Sequence, residues 1–225
     1  MSKIIDYTPN DDGTFTAVIK GVSLGNEETQ ALENGIPVHV DVEVHSPHRI
    51  SDRQRRKIFA LVRDIEDYTG TPMEFMRSVF QIYVEMTYGY REPISLATCD
   101  KKTASRIIEV ILEWVFLEDI PLTYKTSDLL KSDRKFLYLA TINRQCVICG
   151  KPKSDLAHRW AVGSGRNRRA INHTGNQVLA LCRTHHNEQH DIGITSFNEK
   201  YHLTDSWVDV DAHINRMLKG QEVRK

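Results

Sequence analysis

An α+β fold is predicted for this chain of 225 residues, with an N-terminal α+β domain followed by a small zinc-stabilised module. Three observations predict it. Apolar residues recur at helical spacing through the middle of the chain. Short segments near the start alternate as strands do. The segment 146–190 concentrates three of the four cysteines and five of the ten histidines. A composition of 40% hydrophobic and 27% charged residues is that of an ordinary folded protein. No apolar run reaches the roughly 18 residues that a membrane span requires. The opening M-S-K-I-I-D-Y is too short and too polar for a signal peptide. A cytoplasmic protein with no membrane partner is therefore expected, in which thiols persist as metal ligands and not as disulfides.

Residues 1–50 read as a β region. One strand is predicted over 14–19 and another over 38–44, where Val38, Val40, Val42 and Val44 share a face. Gly21, Gly25, Asn34-Gly35 and Pro37 read as turns. His39 and His45 have no clustered partner and read as strand-edge polar residues.

A helix over 51–70 follows. Ser51 and Gln54 make a capping box, Ile58, Leu61, Val62 and Ile65 fall on one face, and Gly70 ends it. Arg53, Arg55, Arg56 and Lys57 in its first turns are either a solvated face or a nucleic-acid contact; the helix dipole opposes the second reading. Thr71 as cap, Pro72 in the first turn and Glu74 predict a second helix. Its Phe75, Met76, Val79, Phe80, Tyr83 and Val84 form a broad apolar stripe, suited to a core or a dimer interface.

Residues 100–117 form a third helix capped by Asp100, with Cys99 before it as a small buried apolar residue. A fourth, shorter helix covers 127–142. The tail is expected to return as helix, and its Asp205, Asp209 and Asp211 lack the partners of a catalytic acidic cluster. The domains so defined are 1–125, a connecting helix at 126–143, the cysteine-histidine module at 144–192 and a helical extension at 193–225. There is no internal repeat.

Formal net charge is zero, yet residues 144–190 carry eight Lys and Arg against two acids. Basic character gathered around the cysteine-histidine cluster is the footprint of a phosphate backbone. Cys146-x2-Cys149 and Cys182-x2-His185 are two knuckles that together give a complete Cys3His set, whose sulfur and imidazole donors suit structural zinc (Zn). His186 and His190 remain, one turn apart on a helix, and can hold a divalent metal with open positions. His158 lies on the strand-like stretch D-L-A-H, and a neutral imidazole of pKa about 6.5 is suited to deprotonate water.

The pattern C-x2-C … H … L-C-x2-H-H-x3-H resembles the HNH nuclease family in its zinc-knuckle form. The resemblance implies a ββα-metal fold, with His158 as general base and His186 and His190 on a catalytic divalent metal (Mg, Mn, Ni or Zn). It also implies a middle asparagine that orients the base. Counting back from the knuckle cysteine lands on Gln177; Asn176, one residue away, is the assigned residue, with Gln177 next and Asn172 possible. The family often supplies a further ligand just before the base, where this chain has Ala157. Asp155, His173 or water would then complete the shell, and His173 is equally readable as a structural or substrate contact.

Arg159, Arg166, Arg168 and Arg169, the last three on a glycine-bearing loop, are candidates for clamping DNA phosphates. Trp160 could stack on a base or pack in the core. More diffusely, residues 38–120, including S-P-H-R-I-S-D-R-Q-R-R-K and S-L-A-T-C-D-K-K-T-A-S-R, resemble the phage recombination mediator family that includes NinB/Orf of lambda. Both resemblances together imply a metal-dependent DNA endonuclease in phage recombination or DNA processing, located in the host cytoplasm. They further imply a homodimer, with single-stranded, branched or duplex DNA and single-strand-binding or other recombination proteins as partners. The alternative is a zinc-stabilised DNA-binding mediator with weak or no cleavage.

Overall fold

The computed structural model describes residues 2–42, 48–161 and 171–221. It is α+β, as expected, and divides into two compact units, residues 1–45 and 46–225. In the first unit, β1 (Lys3–Pro9) and β2 (Phe15–Lys20) form an antiparallel hairpin, followed by α1 (Asn26–Glu33). The strand expected over 14–19 is β2. Its partner β1 and the helix α1 were not expected. The D-D-G turn at 11–13, with Gly13 at φ +81°, is the signal that marks the hairpin. The alternation over 38–44 forms no strand in its described part, 38–42, although its period is right. A period-two pattern needs a paired edge, and none of the described strands provides one there.

The second unit is built on α2 (Asp52–Thr69), α3 (Met73–Tyr88) and α4 (Lys101–Leu117). The capping box of α2 is present: Gln54 N–H donates to Ser51 Oγ at 3.2 Å, and Ser51 N–H to Gln54 Oε1 at 3.1 Å. Gly70 ends the helix at φ +73°. Ile58, Leu61, Val62 and Ile65 are wholly buried, each contributing roughly 1.5–3 kcal/mol of transfer free energy. Lys57 is not a solvated cation. It is buried and pairs with Asp133 at 3.0 Å, while Arg53 donates to Ser132 Oγ.

α3 departs from expectation at its start. Pro72, not Thr71, is the N-cap residue and no side chain caps the helix, because proline has no acceptor to offer. Its apolar stripe also splits: Met76, Phe80 and Val84 are buried, whereas Phe75, Val79, Ile82, Tyr83 and Met86 are exposed. α4 is capped as predicted, Thr103 N–H donating to Asp100 at 2.6 Å.

The fourth helix is two helices, α5 (Tyr124–Leu130) and α6 (Arg134–Ile142). Asp133 interrupts it by accepting from the N–H groups of Lys135 and Phe136, which starts a new helix where the old one would have continued. The connecting helix expected at 126–143 is in fact core. Leu130, Phe136, Leu137 and Ala140 share one hydrophobic cluster with α2 and α4 and with Cys146, Val147 and Ile148 of the module. The contact division thus falls after residue 45, whereas the sequence placed a boundary near 125–143.

β3 (Asp155–His158) and β4 (Gln177–Leu181) pair antiparallel, with Leu156 opposite Ala180 and His158 opposite Val178. α7 (Arg183–Ile192) and α8 (Ile194–Tyr201) follow. The tail then adds an unexpected third strand, β5 (Val208–Asp209), beside β4 before ending in α9 (Ala212–Leu218). Both sheet faces are covered, which is why β4 reads as a continuous apolar run. Ala157, Leu179 and Leu181 join the main core, while Leu156, Val178 and Ala180 pack with Val210 and Ile214.

Candidate metal centres and catalytic site

The first knuckle grows out of α6. Gly150 N–H donates to the carbonyl of Cys146 at 2.8 Å, and Cys146 N–H to that of Lys151 at 2.9 Å, folding Cys146 and Cys149 toward each other. Gly150 sits at φ +70°, and a Cβ there would lie 2.8 Å from the Leu122 carbonyl oxygen, so the turn requires glycine. Val147 N–H extends the pairing to β4 through the Ala180 carbonyl. Cys182, which leads into α7, brings the second knuckle.

The ligand atoms of Cys146, Cys149, Cys182 and His185 all lie within 4.8 Å of one another. Cys149 and Cys182 sulfurs are 3.8 Å apart, and His185 Nδ1 is 3.3 to 3.7 Å from the three sulfurs. Two sulfurs of a tetrahedral zinc shell with bonds of about 2.3 Å stand roughly 3.8 Å apart, so the set could hold a structural zinc. Burial pushes the Cys146 thiol up to about 12. Burial also raises Cys182, but N–H donation from His185 and hydrogen bonds with the Cys149 and Cys146 thiols outweigh it and hold Cys182 below the usual thiol value. Burial lowers His185, favouring the neutral imidazole that can ligate.

On α7 the next turn carries His186 and His190. Their Nε2 atoms converge to 3.2 Å, with ring centroids 4.9 Å apart. His186 Nδ1 lies 3.2 Å from Asp155 Oδ2, at the start of β3. Gln189, between the two histidines, is buried and donates from Nε2 to the His158 carbonyl at 3.0 Å. The strand that carries His158 is thereby tied to the helix that carries His186 and His190.

His158 is half-buried at the end of β3. Its Nε2 is 3.0 Å from Nδ1 of the buried His173, whose backbone N–H donates to Asn215 Oδ1. His173 is thus placed against His158 by its observed contact, and Asn172 belongs to the same turn, accepting from Asn215 Nδ2 at 3.0 Å. Asn176 precedes β4 and bonds both backbone groups of Trp160, accepting from its N–H at 3.3 Å and donating to its carbonyl at 2.9 Å. Gln177 faces elsewhere: it accepts from Arg159 at 2.7 Å and donates to Asp209 at 2.8 Å.

Ala157 is fully buried in the main core. Trp160 is 51% exposed, which removes the core-packing reading, and the Arg159 guanidinium lies 5.4 Å from its ring centroid. Arg166, Arg168 and Arg169 lie outside the described residues, as does His45. Asp211 caps α9 and accepts from Tyr138, so it and Asp209 serve structure. Sequence reasoning missed Gln189. Its position between two metal-type histidines on a helix was legible, but its partner is a backbone carbonyl 31 residues away.

A hairpin backed by a helix with a converging histidine pair, rooted in a Cys3His cluster that could hold zinc, makes a ββα module. The family model described as "Putative HNHc nuclease" matches residues 20–221, and the chain belongs to that family. The match spans α2 to α6 as well as the module, so the family comprises the whole arrangement. No curated protein and no solved structure matches the chain. Among the described residues, no helix is long and apolar enough to cross a membrane.

Proposed function

We propose that this protein is a metal-dependent DNA endonuclease that hydrolyses phosphodiester bonds during phage recombination or DNA processing. The observation that carries the reading is the convergence of His186 and His190 Nε2 atoms at 3.2 Å on a helix tied by Gln189 to the strand bearing His158. His158 takes the proton of the attacking water as its oxygen bonds to phosphorus and the bond to the 3′ oxygen breaks. His173 holds the imidazole of His158 from the side, and Asn176 fixes the backbone just beyond it.

His186 and His190 would hold a divalent ion, which would supply positive charge to the phosphate and the leaving oxygen. Two imidazole donors suit nickel or zinc better than manganese or magnesium. The Cys3His set, loaded with zinc, is a closed shell that holds the scaffold. Arg159, with Arg166, Arg168 and Arg169, grips the phosphates, and Trp160 offers a ring on which a base can stack. The exposed face of α3 is the homodimer contact.

The test is cleavage of single-stranded, duplex and branched DNA with Ni²⁺, Mn²⁺ or Mg²⁺, comparing the parent with His158→Ala. Cleavage is expected to fall by about 10²- to 10⁴-fold while DNA binding persists. Equal cutting by both proteins removes the base assignment. A zinc-loaded parent that binds but never cuts supports the mediator reading, which the burial of Ala157 favours by leaving no ligand before the base.

A further inference from the structure

Loss of a ligand at Ala157 raises the question of what Asp155, two residues earlier on β3, does. Asp155 stands behind the imidazole of His186. Its Oδ2 is 3.2 Å from Nδ1, whereas the nitrogen that meets His190 is Nε2, also at 3.2 Å. An ionised carboxylate only accepts, so the ring nitrogen facing it carries the proton and the opposite nitrogen presents its lone pair. Asp155 thus meets the His186 ring on the side opposite the nitrogen that converges with His190.

We infer, building on the nuclease reading above, that Asp155 is a positioning residue of the His186/His190 centre: by accepting the Nδ1–H of His186 it fixes the tautomer that turns Nε2 toward the metal. A carboxylate behind a ligating imidazole locks the ring and raises its basicity. The placement suits the role. Asp155 is the first residue of β3, opposite Leu181 and hence beside the start of α7, and its side chain is 29% exposed against 17% for His186. Arg183, at 3.3 Å, balances the carboxylate from the solvent side. This contact also supplies the competing explanation, that Asp155 serves only to hold Arg183.

The experiment uses the full chain loaded with zinc, titrated calorimetrically with Ni²⁺, together with ¹⁵N-histidine spectra of the nickel-free protein above the usual imidazole pKa. The parent is expected to bind one Ni²⁺ beyond its zinc and to show His186 protonated at Nδ1. Asp155→Ala is expected to weaken Ni²⁺ by about 10- to 100-fold and to mix the tautomers, with zinc content unchanged. Asp155→Asn, which keeps an acceptor but no charge, falls between, and Arg183→Ala leaves Ni²⁺ affinity as it was. Unchanged affinity in Asp155→Ala, a parent His186 protonated at Nε2, or a loss in Arg183→Ala equal to that in Asp155→Ala overturns the inference. A parent that binds no Ni²⁺ overturns the metal reading of the histidine pair instead, and the tautomer spectra still decide the role of Asp155.

Discussion

Asn176 and Gln177 show how much one register position matters. Spacing to the knuckle pointed to Gln177, and residue type pointed to Asn176. Gln177 is the first residue of β4, and its side chain is committed to Arg159 and Asp209. Asn176 sits just outside the strand, after Gly175 at φ +88°, and there a short amide reaches both backbone groups of Trp160. Asn176→Ala is expected to lower the cleavage rate about 10- to 100-fold with zinc content intact, since misplacement of a reacting group by about 1 Å can cost that much. Gln177→Ala should cost several-fold less. Steady-state cleavage by the two variants checks this, and equal losses would remove the distinction. The Cys3His set was legible because clustered cysteine and histidine at knuckle spacing is rare, and the structure brings its four ligand atoms together. The backbone bonds of Asn176 and Gln189 were not, because any residue offers a carbonyl.

At the scale of elements, what the sequence concealed lies where one side chain ends or joins a helix. Asp133 breaks the expected fourth helix because it can cap α6 and pair with Lys57 at once. Hydrophobic periodicity alone runs through that point unbroken. A second joint links α6 to α9: Tyr138 Oη donates to Asp211, which also accepts from Ile214 N–H. Burial, with the Asp211 hydrogen bond and charge, pushes Tyr138 up to about 12. The folded state thus holds this proton more tightly than an unfolded chain with a tyrosine pKa of about 10. Its contribution to stability is complete below about pH 10 and is lost as pH rises toward 12. Ultraviolet titration is expected to show a late-ionising tyrosine that Tyr138→Phe removes. Denaturant unfolding across the same range should weaken less steeply in that variant; an identical pH dependence would count against the joint.

For the molecule as a whole, the α+β class and the order of its parts were legible from periodicity and ligand spacing, whereas the continuity of the core was not. Helical periodicity marks which face of α6 is buried, but not that Phe136 meets Phe116 of α4, with ring centroids 6.2 Å apart, or that Ile148 beyond the supposed linker shares the same core. Within residues 46–225, one apolar face left exposed among the described residues is that of α3, where Phe75 is 60% and Met86 80% exposed. With Val79, Ile82 and Tyr83 it makes a stripe one helix turn after another. Light scattering after gel filtration is expected to give a dimer for the parent and a monomer for Ile82→Glu with Met86→Lys. A monomeric parent at micromolar concentration would end the assignment of this face.

The third strand of the nuclease sheet also has a bearing on synthesis. β5 comes from residues 208–209, some fifty residues after the strand that carries His158. On a growing chain β4 has an open edge until residues 208–209 have been made. The cover of its second face, Val210 and Ile214, arrives later still. A chain released early would carry the histidines without the completed sheet beneath them. The order in which the ribosome delivers these segments therefore leaves the completion of this sheet to residues 208–214, well after the strands they cover.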